Sequence, residues 1–345
     1  MTLEVNFDGL VGPTHNYAGL SLGNIASQSN AGDVSNPKAA ALQGIAKMRK
    51  LHSLGLVQGV LPPPLRPDPR VLARLGFDSI EQVQAVAPQL VAMLMSASPM
   101  WSANAATVSP SIDAHDGRLH LTPANLVSTN HRALEPDGTA RMLGKVFDHA
   151  GRFVVHAPLP ATAALADEGA ANHGRICTTH GDVGHHLFVY GREATEPTLT
   201  PGGFPRRQSK LAGELIANAH GLDPRLVTHA RQSSEAIDAG AFHNDVVSVV
   251  NEDVLFTHER AFEDPVTTFL PPDCRVVEVA ETDVPLTDAI SSYLFNSQLV
   301  TLPDDTMVLI APAETDETSS TAAYLKSAVE DPANPIVAVE TMDLR

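Results

Sequence analysis

The feature that most constrains this chain is a strand pair that recurs between helices. Residues 242–250 read FHNDVVSVV, Asn251-Glu252-Asp253 makes a turn, and VLFTH returns. Residues 299–310 repeat the plan as LVTL, a turn at Pro303-Asp304-Asp305, and MVLI. Around Asp116-Gly117 the pattern appears again, with RLHLT as the returning strand. Two β-rich runs joined by a short Asp/Asn/Gly/Pro turn are a hairpin signature. Hairpins scattered among helices predict a modular α/β fold and argue against one long parallel βαβ series.

The helices have their own punctuation. Ser35-Asn36-Pro37 offers a cap followed by proline at the first helical position. Leu42, Ile45, Met48 and Leu51 follow at helical spacing, and Gly55 fits the stop. A second helix is predicted within Ile80 to Met95, interrupted or started by Pro88, and a third over Gln208 to Ala219.

Composition removes several classes of function. Of 345 residues, 43% are hydrophobic and 18% charged, so the chain can bury a core. Its formal charge of −17 argues against a general nucleic-acid binder and against an anionic membrane surface, both of which need clustered cations. Two cysteines, Cys177 and Cys274, cannot build a disulfide scaffold, and no CxxC occurs. The start MTLEVNFDGL has no basic and apolar leader, and no apolar run is long enough to span a bilayer. A cytoplasmic protein is the expectation.

Polar clusters in small or apolar surroundings mark candidate chemistry. Gly9 to Asn24 is a Gly-rich stretch that lets backbone approach a ligand. It contains Gly19-Leu20-Ser21-Leu22-Gly23, yet the strand before and helix after that a serine-hydrolase elbow needs are not evident. Asn104 lies beside Trp101, the single tryptophan, and could give amide donors and a carbonyl to a polar ligand. Asn130-His131-Arg132 could offer cationic donors to a carboxylate. Asp167 and Glu168 sit among apolar and small residues, where burial would raise a carboxyl pKa towards neutrality. His243 and Asp245 read as two residues on one face at the mouth of a strand, with Asn244 opposite, a plausible base and its orienting carboxylate. His180, His185 and His186 match no zinc spacing, so no metal is expected.

Taken together, these clusters make the chain closely resemble the N-succinylarginine dihydrolases. The shared wording is EVNFDGLVGPTHNYAGLSLGN, SNPKAAALQG, SASPMWSANAAT, LADEGAANH, FVYGRE, FHNDVVSV and SSYLFNSQL, from residue 4 to about residue 299. That family belongs to the penteins, guanidine-modifying enzymes. The resemblance implies a five-bladed α/β propeller of ββαβ modules, with residues 1–345 forming a single domain. It implies hydrolysis of N2-succinyl-L-arginine to N2-succinyl-L-ornithine, two ammonia and carbon dioxide through a Cys–His–Glu mechanism, without metal or organic cofactor. Glu168 and His243 match the catalytic acid and histidine. Ala18, Gly19, Leu20, Ser21, Leu22, Gly23, Asn24, Ile25, Ala26, Ser27, Asn104, His131, Arg132, Arg207 and Asp245 match substrate-binding positions, which makes Ser21 part of a binding loop. A homodimer is implied.

One departure matters. In the family the nucleophilic cysteine lies in a Pro-Ala-Cys segment beyond the stretch matching Thr341 to Arg345, and neither Cys177 nor Cys274 matches it. The expectation is a propeller incomplete at its C-terminal end and a chain that does not turn over substrate as it stands. The alternatives are a non-catalytic guanidino-ligand binding protein or a serine hydrolase using Ser21.

Overall fold

The computed structural model describes residues 4–24, 28, 31–97 and 104–343. Trp101 and, from the expected binding loop, Ile25, Ala26 and Ser27 lie outside the described residues.

The hairpins become the inner halves of four small three-stranded sheets. β3 (Ala106–Ser109) pairs antiparallel with β4 (Leu119–Pro123), which pairs parallel with β5 (Phe153–Val155). β6 (His173–Ile176), β7 (His185–Tyr190) and β8 (Val227–Arg231) repeat that order. So do β9 (Ser248–Asn251), β10 (Val254–His258) and β11 (Arg275–Val279). The last set is β12 (Gln298–Thr301), β13 (Met307–Pro312) and β14 (Ile336–Met342). A short turn suffices for the antiparallel step, whereas the parallel step needs a crossover. Helices Pro136–Val146, Lys210–Ala219 and Ser319–Glu330 supply three of the crossovers.

A further sheet differs. β1 (Val5–Gly9) and β2 (Val57–Leu61) are parallel, joined through helix Pro37–Ser53, with no antiparallel partner on β1 among the described residues. The two-stranded sheet is thus the first in chain order among the described residues. The last sheet has its three strands.

Each sheet shares a core with the next. Phe7 and Leu61 pack with Ala106, Leu121 and Leu143. Leu187, Val189 and Ala230 pack with Val246 and Leu255, and Val254, Phe256 and Val279 with Leu309 and Ile336. Leu51 and Leu56 of the first unit meet Val300, Val308 and Ile310 of the last. The seam between the second and third sheets is different in kind, because it is made largely of histidine rings. His120 stacks on His156 and His156 on His220, at centroid separations of 5.1 and 5.2 Å.

Local expectations hold with adjustments. Asn36 caps its helix by accepting the Ala39 N–H at 3.1 Å. Met48 and Leu51 face inward, but Leu42 points to solvent, so the buried stripe is narrower than its spacing suggested. Pro88 opens a 3-10 turn that divides helix Ile80–Val86 from helix Val91–Met95.

Candidate active site

The site is assembled from two kinds of position. The first lies just ahead of an inner strand: Asn104 before β3, Glu168 before β6, His243 and Asp245 before β9. The second lies in loops leaving the strand that precedes a parallel crossover: Ala18 to Asn24 after β1, His131 and Arg132 after β4, Arg207 after β7. Chain ends of neighbouring strands converge at such a place, which is why ligands in α/β sheets gather there.

At its centre His243 Nε2 lies 2.6 Å from Glu168 Oε2, and both side chains are almost fully buried. Burial would raise the Glu168 pKa, but the hydrogen bond with His243 and the charges of Arg207 and Arg132 overcome it and hold the group below its usual value. The same burial lowers the His243 pKa despite its acidic partner. Glu168 is thus a carboxylate and His243 a neutral imidazole. A carboxylate can only accept, so the imidazole N–H is on Nε2 and Nδ1 is left as the base. Nδ1 faces Asp245 Oδ1 at 3.9 Å.

This corrects the sequence reading twice. Glu168 is not a carboxyl raised towards neutrality. That property belongs to its neighbour Asp167, which burial pushes up to about 6. His243 and Asp245 do not share a strand face either. Residues 244–246 form a 3-10 turn and β9 starts at Ser248, so the pair converges through a tight turn.

Asn104 does what its amide chemistry allowed. Its Nδ2 donates to the Glu168 carbonyl at 2.8 Å, and its Oδ1 accepts from Arg132 Nη1 at 3.1 Å. The close approach depends on Gly169, at φ +70°, where a Cβ would stand 2.9 Å from the Asn104 carbonyl oxygen. Arg207 lies buried over the Phe242 ring at 4.9 Å and donates Nη2 to the Leu22 carbonyl at 2.6 Å, strapping the Ala18–Asn24 loop to the site. The Nε of Arg132, the Nε of Arg207, Glu168 Oε1 and Asp245 Oδ1 are buried without a hydrogen-bond partner in the described structure. Arg132 Nε lies 3.6 Å from Glu135 Oε2, so one guanidinium donor, on Arg207, and two carboxylate acceptors are left open in one place, which suits a ligand carrying both signs of charge.

His131 departs from expectation. Burial, then Arg132, Arg66 and Arg207, lowers its pKa to about 4, so it is a neutral ring and not a cationic donor. Asn130 beside it is exposed. Ser21 is buried in a loop between turns, with no strand leading into it, and its carbonyl accepts the Asn24 N–H at 3.2 Å. That is not an elbow.

Sequence reasoning missed the supports. Gln208 accepts the Glu168 N–H at 2.6 Å and donates to Asp167 Oδ1 at 3.2 Å. Asn125 accepts the Asp167 N–H at 2.9 Å and donates to the Leu165 carbonyl at 2.6 Å. Neither has a local motif, because their partners lie some 40 residues away. Among the described residues no group of three or more His, Cys, Asp or Glu could hold a metal ion.

A cavity of about 400 Å³ runs from Asp245 and Asn296 along β6, β9 and β12 to Arg175 and His180, with Asp8 and Gly9 of β1 on its wall. Cys177 follows β6 at its far end, where its sulfur accepts from Arg175 at 2.9 Å. Cys274 sits in a turn, its thiol pushed up to about 11 by burial. No hydrogen bond or ion pair in the described structure joins either cysteine to Glu168 or His243.

Known proteins resemble this chain in sequence and, separately, in fold. The profile of the family described as succinylarginine dihydrolase matches residues 1–345. An N-succinylarginine dihydrolase of Paraburkholderia xenovorans is 50% identical over 356 residues, covering 99% of this chain and 80% of that protein. One from Burkholderia thailandensis is also 50% identical, with the same coverage. Among solved structures, the N-terminal domain of ArgZ, a cyanobacterial arginine dihydrolase, superposes with a TM-score of 0.56 at 15% identity, covering 99% of this chain and 91% of that one. DDAH from Pseudomonas aeruginosa, complexed with citrulline, gives 0.51 at 12% identity, covering 100% and 93%. At those identities the two structures speak for a shared fold.

Proposed function

The chain belongs to the succinylarginine dihydrolase family, and from that premise we propose that its site takes N2-succinyl-L-arginine. The reaction is hydrolysis with two waters to N2-succinyl-L-ornithine, two ammonia and carbon dioxide. The observation that carries the reading is the Glu168–His243 pair set among Arg132, Arg207 and Asp245. The substrate has a guanidinium at one end and two carboxylates at the other. Glu168 and Asp245 suit the guanidinium, and Arg132 and Arg207 suit the carboxylates.

In this mechanism the attacking thiol gives its proton to His243 Nδ1 and its sulfur adds to the guanidinium carbon, ammonia leaves with that proton, and water attacks the amidino adduct with the freed His243 Nδ1 as base. A second round releases the second ammonia. The finer architecture proposed is a five-bladed propeller and single domain over residues 1–345, whose first blade has no inner strand among the described residues. The family resemblance further suggests a homodimer in the cytoplasm. No described helix is long and apolar enough to cross a membrane.

A second reading, a non-catalytic binder of succinylarginine, is favoured by one observation: neither cysteine contacts the Glu168–His243 pair. Ammonia release from N2-succinyl-L-arginine by this 345-residue chain, beside calorimetric binding of the same compound, separates the two. Two ammonia per substrate support the dihydrolase. Binding without release supports the binder, and failure of both removes the substrate assignment.

A further inference from the structure

The site repeats a pattern that one more sheet also obeys. Asn104 stands two residues ahead of β3, which begins at Ala106, and Asp245 three ahead of β9, which begins at Ser248. β12 begins at Gln298, and Asn296 stands two residues ahead of it. By its place in the repeat, Asn296 belongs to the same ring of positions as the site residues on the other inner strands. The structure supports that placement, since Asn296 and Asp245 line the same cavity wall, and Asn296 lies close enough to favour the charged form of the Asp245 carboxyl.

The segment leading to Asn296 is built to hold it there. Helix Leu286–Ser291 ends two residues before Tyr293, which adopts φ +55°, a left-handed conformation that a bulky side chain takes only when its surroundings impose it. The turn is pinned from both sides. Leu294 and Phe295 are fully buried in the core between the fourth and fifth sheets. The Tyr293 hydroxyl reaches Asn24 Oδ1 at 3.1 Å, at the end of the substrate loop. Asn296 emerges from this anchored turn beside Asp245.

We propose that Asn296 is a positioning residue for substrate: its amide holds one oxygen of Asp245 so that the free Oδ1 is presented to the guanidinium. This rests on the reading of the site as one for succinylarginine. The titratable groups facing Asp245 are His243, Glu168, Arg132, Arg207 and Tyr293. Burial raises its pKa to about 7, while Asn296, Arg132 and Arg207 oppose that rise. Asn296 is a neutral donor. It favours the ionised form of Asp245 without adding a cation that would compete with the substrate.

The test compares the intact chain with Asn296→Ala. Calorimetry would follow N2-succinyl-L-arginine and N2-succinyl-L-norleucine, which keeps both carboxylates and lacks the guanidinium. The expected result is a loss of about tenfold or more for succinylarginine, with the norleucine analogue unchanged. The pH midpoint of succinylarginine binding should also move upward. Equal loss for both ligands, or no loss, overturns the proposal. A carbon-13 carboxyl titration without ligand reads the same interaction directly. An Asp245 midpoint that rises in Asn296→Ala supports the inference even if the substrate assignment fails, and one that stays in place sinks it.

Discussion

His243 Nε2 and Glu168 Oε2 meet at 2.6 Å although 75 residues separate them, and both side chains are almost fully buried. It joins the approach to the third sheet's inner strand with the approach to the fourth's. A buried ionised group is tolerated when each lone pair and proton has a use. Glu168 Oε2 has His243, while Oε1 has no hydrogen bond in the described structure. That open acceptor ties the stability of the pair to its role as a site for a cationic ligand.

Cutting the pair from one side should be worse than removing it whole. His243→Ala leaves a buried carboxylate without its donor and should cost about 3 kcal/mol of unfolding free energy in urea melts. Glu168→Ala leaves an imidazole N–H unpaired, at about 2 kcal/mol. The double variant should cost clearly less than their sum, because neither orphan then remains. Strict additivity would mean that the contact does not stabilise the fold.

Asp245 should trade stability for binding. Its folded pKa of about 7 is above the ordinary 3.8, so the folded state holds the proton more tightly than the unfolded chain does. Its contribution is therefore complete below pH 3.8 and is lost as pH rises through about 7. Asp245→Asn should melt higher than the parent at pH 8, by about 2 kcal/mol, and match it at pH 4. The full shift would imply more, but the side chain keeps 24% of its surface exposed to the cavity. Succinylarginine binding by the same variant should be weakened at pH 8, with the difference narrowing as Asp245 of the parent takes up its proton towards pH 4. A variant less stable at pH 8 would refute the account.

The histidine seam should make the fold sensitive to acid. His220 is wholly buried, with its ring nitrogens 2.7 Å from the Ser109 and Thr122 hydroxyls, and burial takes its pKa to about 3. A neutral ring can accept from one hydroxyl and donate to the other, and a charged ring cannot. The folded pKa is below the unfolded 6.5, so this stability is present above pH 6.5 and lost as pH falls towards 3. Between pH 6.5 and 5 the loss from His220 alone is about 2 kcal/mol. His220→Gln should be less stable at pH 7 and show a shallower decline of urea midpoint on acidification. An unchanged slope would show that His220 does not titrate on unfolding.

What could be read from sequence follows from the range of the interactions. The β9–β10 hairpin was legible because its alternation and its turn at Glu252 and Asp253 are local. The cap at Asn36 was legible for the same reason. The role of Asn104 could be guessed from its amide, but its partners Glu168 and Arg132 came only with the fold. Gln208 and Asn296 gave no signal, since an isolated amide looks alike in a turn and in a site. The inversion between Asp167 and Glu168 was out of reach, because adjacent acids are told apart only by which of them meets His243.

Arg207 should prove to be a strap as well as a ligand group. Its Nη2 bond to the Leu22 carbonyl ties down a loop whose Leu20 and Leu22 side chains are themselves exposed, so apolar packing does little to hold it. The guanidinium lies over Phe242, next to His243, and burial lowers its pKa without neutralising it. Lysine keeps the charge but loses the planar fork, so it cannot serve the Leu22 carbonyl, the Phe242 face and a carboxylate together. Arg207→Lys should therefore weaken succinylarginine by about tenfold or more and speed chymotryptic cleavage at Leu20 or Leu22. Saturating N2-succinyl-L-arginine should slow that cleavage in the parent chain more than in the variant, since the ligand closes the loop only through a group that reaches both. Cleavage at the parent's rate in Arg207→Lys would show that the loop is held by its other contacts, such as Tyr293 on Asn24, and that Arg207 serves the ligand alone.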